Sequence, residues 1–172
     1  MTWIEALILG IIQGFTEFLP VSSSGHLAIG NTIFGINNTG SENLLFSLCV
    51  HAATVLSTVV VLHKDITNAF SGVFKFRYND ETKFAVQIII SMIPVAIIGL
   101  FFKDSVEALF ENQILFVGLA LLVTASLLIM SQLVKKSDKE MSPFKAFIVG
   151  IAQAVAIIPG LSRSGSTIAT GL

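Results

Sequence analysis

The sequence predicts an all-α fold: a polytopic α-helical integral membrane protein with inverted-topology repeats and two re-entrant helix-loop-helix hairpins. Three observations predict it. The 172-residue chain is 53% apolar and only 12% charged, with mean hydropathy +0.84, whereas an ordinary soluble domain is about 25% charged. Three stretches, Asn43 to Leu62, Phe84 to Phe102 and Ile114 to Val134, contain no Lys, Arg, Asp or Glu and are long enough to cross a bilayer as helices. Finally, residues 6–25 recur at 146–165: aligned without a gap, eight of the twenty positions are identical.

Taken in order, the first apolar run begins at Trp3 and is read as a retained helix. It has no basic leader, carries Glu5, and shows no small-residue cleavage pattern, so it is not a cleaved signal peptide. The run reaches Pro20 and opens into Ser22-Ser23-Ser24-Gly25, a loop that a lipid-exposed backbone does not tolerate. A hairpin follows, with Leu27 to Phe34 as its short returning helix. The three charge-free stretches are simple spans, and Phe70 to Tyr78 reads as a short amphipathic segment with aromatic anchors. The second copy, Ala146 to Gln153, reaches Pro159 and opens into Ser162-Arg163-Ser164-Gly165. Residues 1–172 form one transmembrane domain, repeat 1 covering about 1–102 and repeat 2 running from about 114 to 172.

Charge distribution orients the chain. Lys64, Lys75, Arg77 and Lys83 follow the first span, and Lys135, Lys136, Lys139 and Lys145 follow the third, while Phe18 to Ser41 holds no basic residue. The positive-inside rule makes the 63–83 and 134–145 connections cytoplasmic and sends the N-terminus, 35–43 and 103–113 outward. The two repeats then start on opposite faces, and their loops meet near the bilayer midplane. Helix ends there present unpaired N–H groups and positive dipole ends, which suit anions and phosphate above all. A net charge of −1 without a basic stripe excludes nucleic acid as a partner, and the single Cys49, read as a small buried residue, excludes disulfide and zinc chemistry.

Gln13 and Glu17 lie four apart, on one helix face just before the first loop. A carboxylate inside an apolar segment is costly and marks function; the bland alternative is an interfacial Glu17, or one paired with Arg163 for packing. In the loop, Ser22, Ser23, Ser24, Gly25 and His26 offer hydroxyls, a freed backbone and an imidazole, which suits a nucleophile with its base but equally an ordinary Ser-rich turn. Arg163 is the one Arg in an uncharged membrane segment. Its guanidinium suits phosphate oxygens, and Gly160, Ser162, Ser164, Gly165 and Thr167 complete a cradle; the alternative is a helix-end Arg reaching the headgroups. His51, mid-span near Cys49 and Thr54, is within reach of the site but is read first as a hydrogen-bonded core histidine, and His63 is read as interfacial.

The run Gln13-Gly14-Phe15-Thr16-Glu17-Phe18-Leu19-Pro20-Val21-Ser22-Ser23-Ser24-Gly25-His26, together with Pro159-Gly160-Leu161-Ser162-Arg163-Ser164-Gly165-Ser166-Thr167, closely resembles the undecaprenyl-diphosphate phosphatase family, the bacitracin-resistance membrane phosphatases. The resemblance covers essentially the whole chain. It implies a multi-pass enzyme of the bacterial inner membrane, with its site open to the periplasm. Such an enzyme removes the terminal phosphate of an isoprenyl diphosphate lipid and so recycles the carrier for peptidoglycan synthesis. It also implies a divalent cation, Mg²⁺ or Ca²⁺, at Glu17 and Gln13, with Gln13 supplying no charge where a carboxylate also occurs in the family. Ser23 and His26 match the family's catalytic Ser and His. Arg163 with Ser162, Ser164 and Thr167 matches its diphosphate-binding loop. A homodimer is a possible assembly.

Three mechanisms are open at this point: Ser23 attacks with His26 as base, His26 attacks itself, or His26 activates water. A lipid-phosphate transporter or flippase using the same repeat without hydrolysis is the rival class. Family members continue through further spans after the Arg-bearing loop, whereas this chain stops at Leu172. A truncated chain is therefore expected, its second repeat lacking a returning helix.

Overall fold

The computed structural model describes residues 1–36, 41–73, 80–102, 114–134 and 141–172, with the side chains of 41–44 excepted. Eight helices run through the described residues, which contain no strand. They are α1 (Trp3–Phe18), α2 (Ser23–Ile33), α3 (Ser41–Val61), α4 (His63–Val73), α5 (Asp80–Phe101), α6 (Ile114–Leu133), α7 (Pro143–Val155) and α8 (Arg163–Gly171).

Local chemistry sets the helix starts. Thr2 caps α1 in a capping box, its hydroxyl accepting from the Glu5 amide while the Glu5 carboxylate accepts from the Thr2 amide at 2.7 Å. Glu5 is thus a cap. Ser142 caps α7 and Pro143 follows at the first helical position, where its missing N–H costs nothing. Ser22 and Ser162, equivalent in the repeat, cap α2 and α8 in the same manner, each hydroxyl accepting from the Gly amide three residues on.

Two charge-free stretches became single helices long and apolar enough to span, α5 and α6. The third, α3, meets α4 at a 76° bend, and the pair passes the same test only together. Large apolar side chains remain exposed along α1, α3, α5 and α6, including Phe15, Leu56, Ile89 and Leu122. An outward apolar belt of this kind faces hydrocarbon in a multi-pass membrane protein. Cys49 lies on that outer surface, so the expectation that it is buried was wrong. Of the Phe70 to Tyr78 segment, Phe70 to Val73 forms the end of α4 and 74–79 lies outside the described residues.

The packing has two halves joined by α6. In one, α1 packs on α2 and α3; in the other, α7 packs on α5 and α8; and α6 touches both α2 and α8. The α5–α7 contact is the most extensive. There Gly150 lets the helices close, since a Cβ on it would lie 2.5 Å from the Ser91 carbonyl oxygen. Gln87 ties the same pair, donating to the Met141 carbonyl at 2.6 Å.

Both hairpins form. The first returns earlier than expected, α2 starting at Ser23 rather than Leu27. The second corrects the expectation of a missing returning helix: α8 is that helix, nine residues against eleven in α2, packed on α6 and α7. Its hydroxyl cap starts it within two residues of the turn, so little chain is needed.

Candidate active site

The two loops touch. A Cβ on Gly25 would lie 3.0 Å from the Gly160 Cα, and one on Gly165 would lie 3.1 Å from the Pro20 carbonyl oxygen. Glycines at both positions let the backbones approach this closely. Gly160 has a further constraint, with φ +90 and a would-be Cβ 2.5 Å from the Val117 carbonyl oxygen of α6. Thr124 of α6 then holds the second loop from both sides, donating to the Gly160 carbonyl at 2.9 Å and accepting from the Ser162 amide at 3.0 Å. Thr124 is buried, and its role was not legible beforehand, since one Thr in an apolar span is ordinary.

The first loop is the strained one. Ser22 adopts φ +66, ψ 91, a region non-glycine residues rarely occupy, whereas its counterpart Ser162 is extended. That strained cap delivers Ser23 as the first residue of α2, and Arg163 takes the same position in α8. Both Ser-x-Ser pairs keep their hydroxyls together, Ser22 to Ser24 at 3.3 Å and Ser162 to Ser164 at 3.1 Å. Thr167 turns its hydroxyl to the Ser164 carbonyl at 2.9 Å.

Glu17 is where the first hairpin's polar groups converge. Its Oε2 accepts from the Ser23 hydroxyl at 2.5 Å and from Gln13 Nε2 at 2.9 Å, and His51 Nε2 lies 3.9 Å away. Oε1 accepts no hydrogen bond among the described residues. Gln13 is fully buried, and its Oε1 has no partner there either.

The structure thus groups Gln13, Glu17 and Ser23, and brings His51 near them as one of its two readings allowed, while its Nδ1 is hydrogen-bonded within α3 as the other did. It separates Ser23 from His26: the serine hydroxyl goes to Glu17, while His26 Nδ1 lies 2.9 Å from the Ser22 carbonyl. Because a carbonyl only accepts, Nδ1 is the donor in that contact, and in the neutral imidazole Nε2 keeps its lone pair. The suggested packing pair between Glu17 and Arg163 does not form. Arg163 is exposed, and no carboxylate lies within 4.0 Å of it among the described residues. His63 is exposed at the α3–α4 bend, its Nδ1 on the Val60 carbonyl.

Chemically, these groups amount to a hydroxyl already bonded to a carboxylate, two capped helix N-termini brought together, and an uncommitted guanidinium at one of them. Helix N-termini and Arg both favour phosphate oxygens. Among the described residues no three His, Cys, Asp or Glu side chains cluster to hold a metal by themselves. Glu17 Oε1 and Gln13 Oε1, each without a hydrogen-bond partner among the described residues, are nonetheless oxygen acceptors of the kind a hard cation uses when substrate phosphates supply further ligands.

The model of the bacitracin resistance protein BacA family matches residues 6–172. The chain belongs to that family. Curated relatives called undecaprenyl-diphosphatase include one from Parabacteroides distasonis, 61% identical over the whole chain, and one from Bacteroides thetaiotaomicron, 59% identical over the whole chain. One from Methanococcus vannielii is 41% identical over 98% of the chain. The chain spans 64% and 65% of the first two relatives' lengths and 66% of the third's. Both loops of this BacA family chain, from Gln13 to His26 and from Pro159 to Thr167, lie inside the matched region.

Proposed function

We propose that this chain carries the active site of an undecaprenyl-diphosphatase, which removes the terminal phosphate of a C55 isoprenyl diphosphate and leaves the monophosphate carrier lipid. The relatives' shared name supports the reaction class. The observation that carries it in this chain is the Ser23–Glu17 hydrogen bond beside the loop bearing Arg163.

In the proposed reaction Arg163, the amides at the starts of α2 and α8 and the Ser162 and Ser164 hydroxyls bind the diphosphate. Ser23 Oγ attacks the terminal phosphorus as Glu17 takes its proton, and the phosphorus–oxygen bond to the lipid monophosphate breaks. Water then attacks the phosphoserine, Glu17 and His26 moving the protons, and inorganic phosphate leaves with Ser23 restored. His26 Nε2, its lone pair free, suits a proton-transfer role near the substrate. Glu17 and Gln13 are the residues that would hold Mg²⁺ or Ca²⁺, which when bound supplies positive charge against the diphosphate oxygens.

The site is proposed to face the outer side of a bacterial inner membrane, the hairpins entering from opposite faces, as the Lys and Arg distribution supports. Transport without hydrolysis gains nothing comparable, because a carrier needs anion donors but no carboxylate on a serine. The test is release of inorganic phosphate from a C55 or C15 isoprenyl diphosphate by purified protein. Release that is lost in Arg163→Ala supports the phosphatase; stoichiometric binding without release contradicts it.

A further inference from the structure

We infer that α4 is an interfacial helix, lying along the bilayer surface with Phe70 seated at the boundary between headgroups and acyl chains. The inference rests on the membrane fold and not on the phosphatase reading.

Both ends of α4 are fixed at the level where a span leaves the hydrocarbon. The charge-free run from Asn43 to Leu62, which forms most of α3, holds 20 residues. That is about 30 Å of helix, the thickness of the hydrocarbon core. His63, Lys64 and Asp65 follow at once, and there the chain turns through 76°. The crossing is complete without α4. Its far end meets α5 at a similar level: Gly72 is buried, and a Cβ on it would lie 2.6 Å from the Glu81 Cβ. Glu81 belongs to the charged first turn of α5, ahead of the apolar run that begins at Phe84. A helix tied at both ends to charged span termini runs along the surface.

The side chains of α4 suit that position. Ile66, Ala69, Phe70 and Val73 recur at the spacing of one helix face, while Lys64, Thr67, Asn68 and Ser71 occupy the opposite one. Ile66, Ala69 and Val73 are half-buried, but Phe70 is 62% exposed. An aromatic ring on the apolar face of an amphipathic helix fits the headgroup–acyl boundary. It also continues the lipid-facing belt that reaches the end of α3 at Val60 and Val61. Charge contributes little: from His63 to Lys83 four basic side chains stand against three acidic ones, so attraction to anionic headgroups nearly cancels. Apolar burial is the hold, and a zwitterionic surface suffices.

The test places one tryptophan at a time in the full chain, with the single native one removed by Trp3→Phe. The protein is reconstituted in phosphatidylcholine vesicles whose acyl chains carry a quencher either near the headgroup or near the methyl end. Phe70→Trp is expected to emit to the blue of Asn68→Trp, and to be quenched about two-fold more by the shallow label than by the deep one. Leu56→Trp, on the exposed side of α3, supplies the deep reference. Phe70 and Asn68 are both exposed, so neither new ring displaces a packed side chain. Ile66→Trp, one turn earlier on the same face, repeats the reading if Phe70→Trp does not fold. Stronger quenching of Phe70→Trp by the deep label would make α4 the second half of a broken span. Emission and quenching like those of Asn68→Trp would put the ring in water, and blue emission untouched by either label would put a protein surface over it. Each of these three results overturns the inference.

Discussion

The Ser23 hydroxyl donates to the Glu17 carboxylate at 2.5 Å, linking the start of α2 to the last turn of α1 across the Pro20 turn. The candidate base for this serine is therefore a carboxylate on the preceding helix, while the histidine three residues on faces a backbone carbonyl.

If Glu17 serves Ser23, then Ser23→Ala and Glu17→Gln each remove one half of a single device. Each is expected to reduce phosphate release by about 10²–10⁴-fold, and the double variant to be little worse than either single one. Steady-state phosphate release on the three proteins measures this.

Among the described residues Arg163 has no carboxylate partner, so its substitution is expected to affect substrate and not folding. Arg163→Lys retains charge but loses the fork, and kcat/KM is expected to fall about 10–100-fold with the melting midpoint unchanged. A matching fall in the midpoint would assign Arg163 a structural duty.

Gly10 and Gly150 occupy the same place in the two copies yet meet different surroundings. A Cβ on Gly150 would sit 2.5 Å from the Ser91 carbonyl oxygen, whereas one on Gly10 meets nothing within 4 Å. Gly150→Ala is expected to destabilise by about 1–3 kcal/mol, while Gly10→Ala adds roughly 0.5–1 kcal/mol through helix propensity. Paired denaturation curves compare them directly.

Thr124 holds the second loop through two bonds, so Thr124→Val orphans the buried Gly160 carbonyl and Ser162 amide at a cost of about 1–3 kcal/mol. Thr124→Ser is expected to keep both stability and activity. The same denaturation and phosphate-release measurements check this.

The proposal that Glu17 and Gln13 hold a cation makes its own prediction. A chelator is expected to lower phosphate release and added Mg²⁺ to restore it, with Gln13→Leu shifting the half-activating Mg²⁺ concentration upward. A titration that overlays the wild-type curve would remove Gln13 from the cation site.

The spans and the hairpins were legible because bilayer chemistry leaves coarse marks. Charge-free stretches of the right length became α3, α5 and α6, and two matching runs broken at proline became α1–α2 and α7–α8. The grouping of Gln13, Glu17 and Ser23 was legible where motif and depth coincided. Thr124 was not, because its contacts depend on how α6 is rotated about its axis. The positions three and four residues to either side of it are apolar, so no polar stripe reveals that rotation. Ser23 and His26 share no hydrogen bond for a local reason: His26 folds back onto the Ser22 carbonyl, and the serine hydroxyl goes to Glu17. The returning helix α8 was missed because too few residues were counted after the Arg-bearing loop, whereas the Ser162 cap starts the helix at Arg163 itself.

The most direct test is to react the protein with an isoprenyl diphosphate labelled in its terminal phosphate, quench within a turnover, and map the label. The account predicts an acid-stable phosphoserine at Ser23 that is absent from Ser23→Ala and strongly reduced in Glu17→Gln. Label on His26, or full turnover by Ser23→Ala, would contradict it.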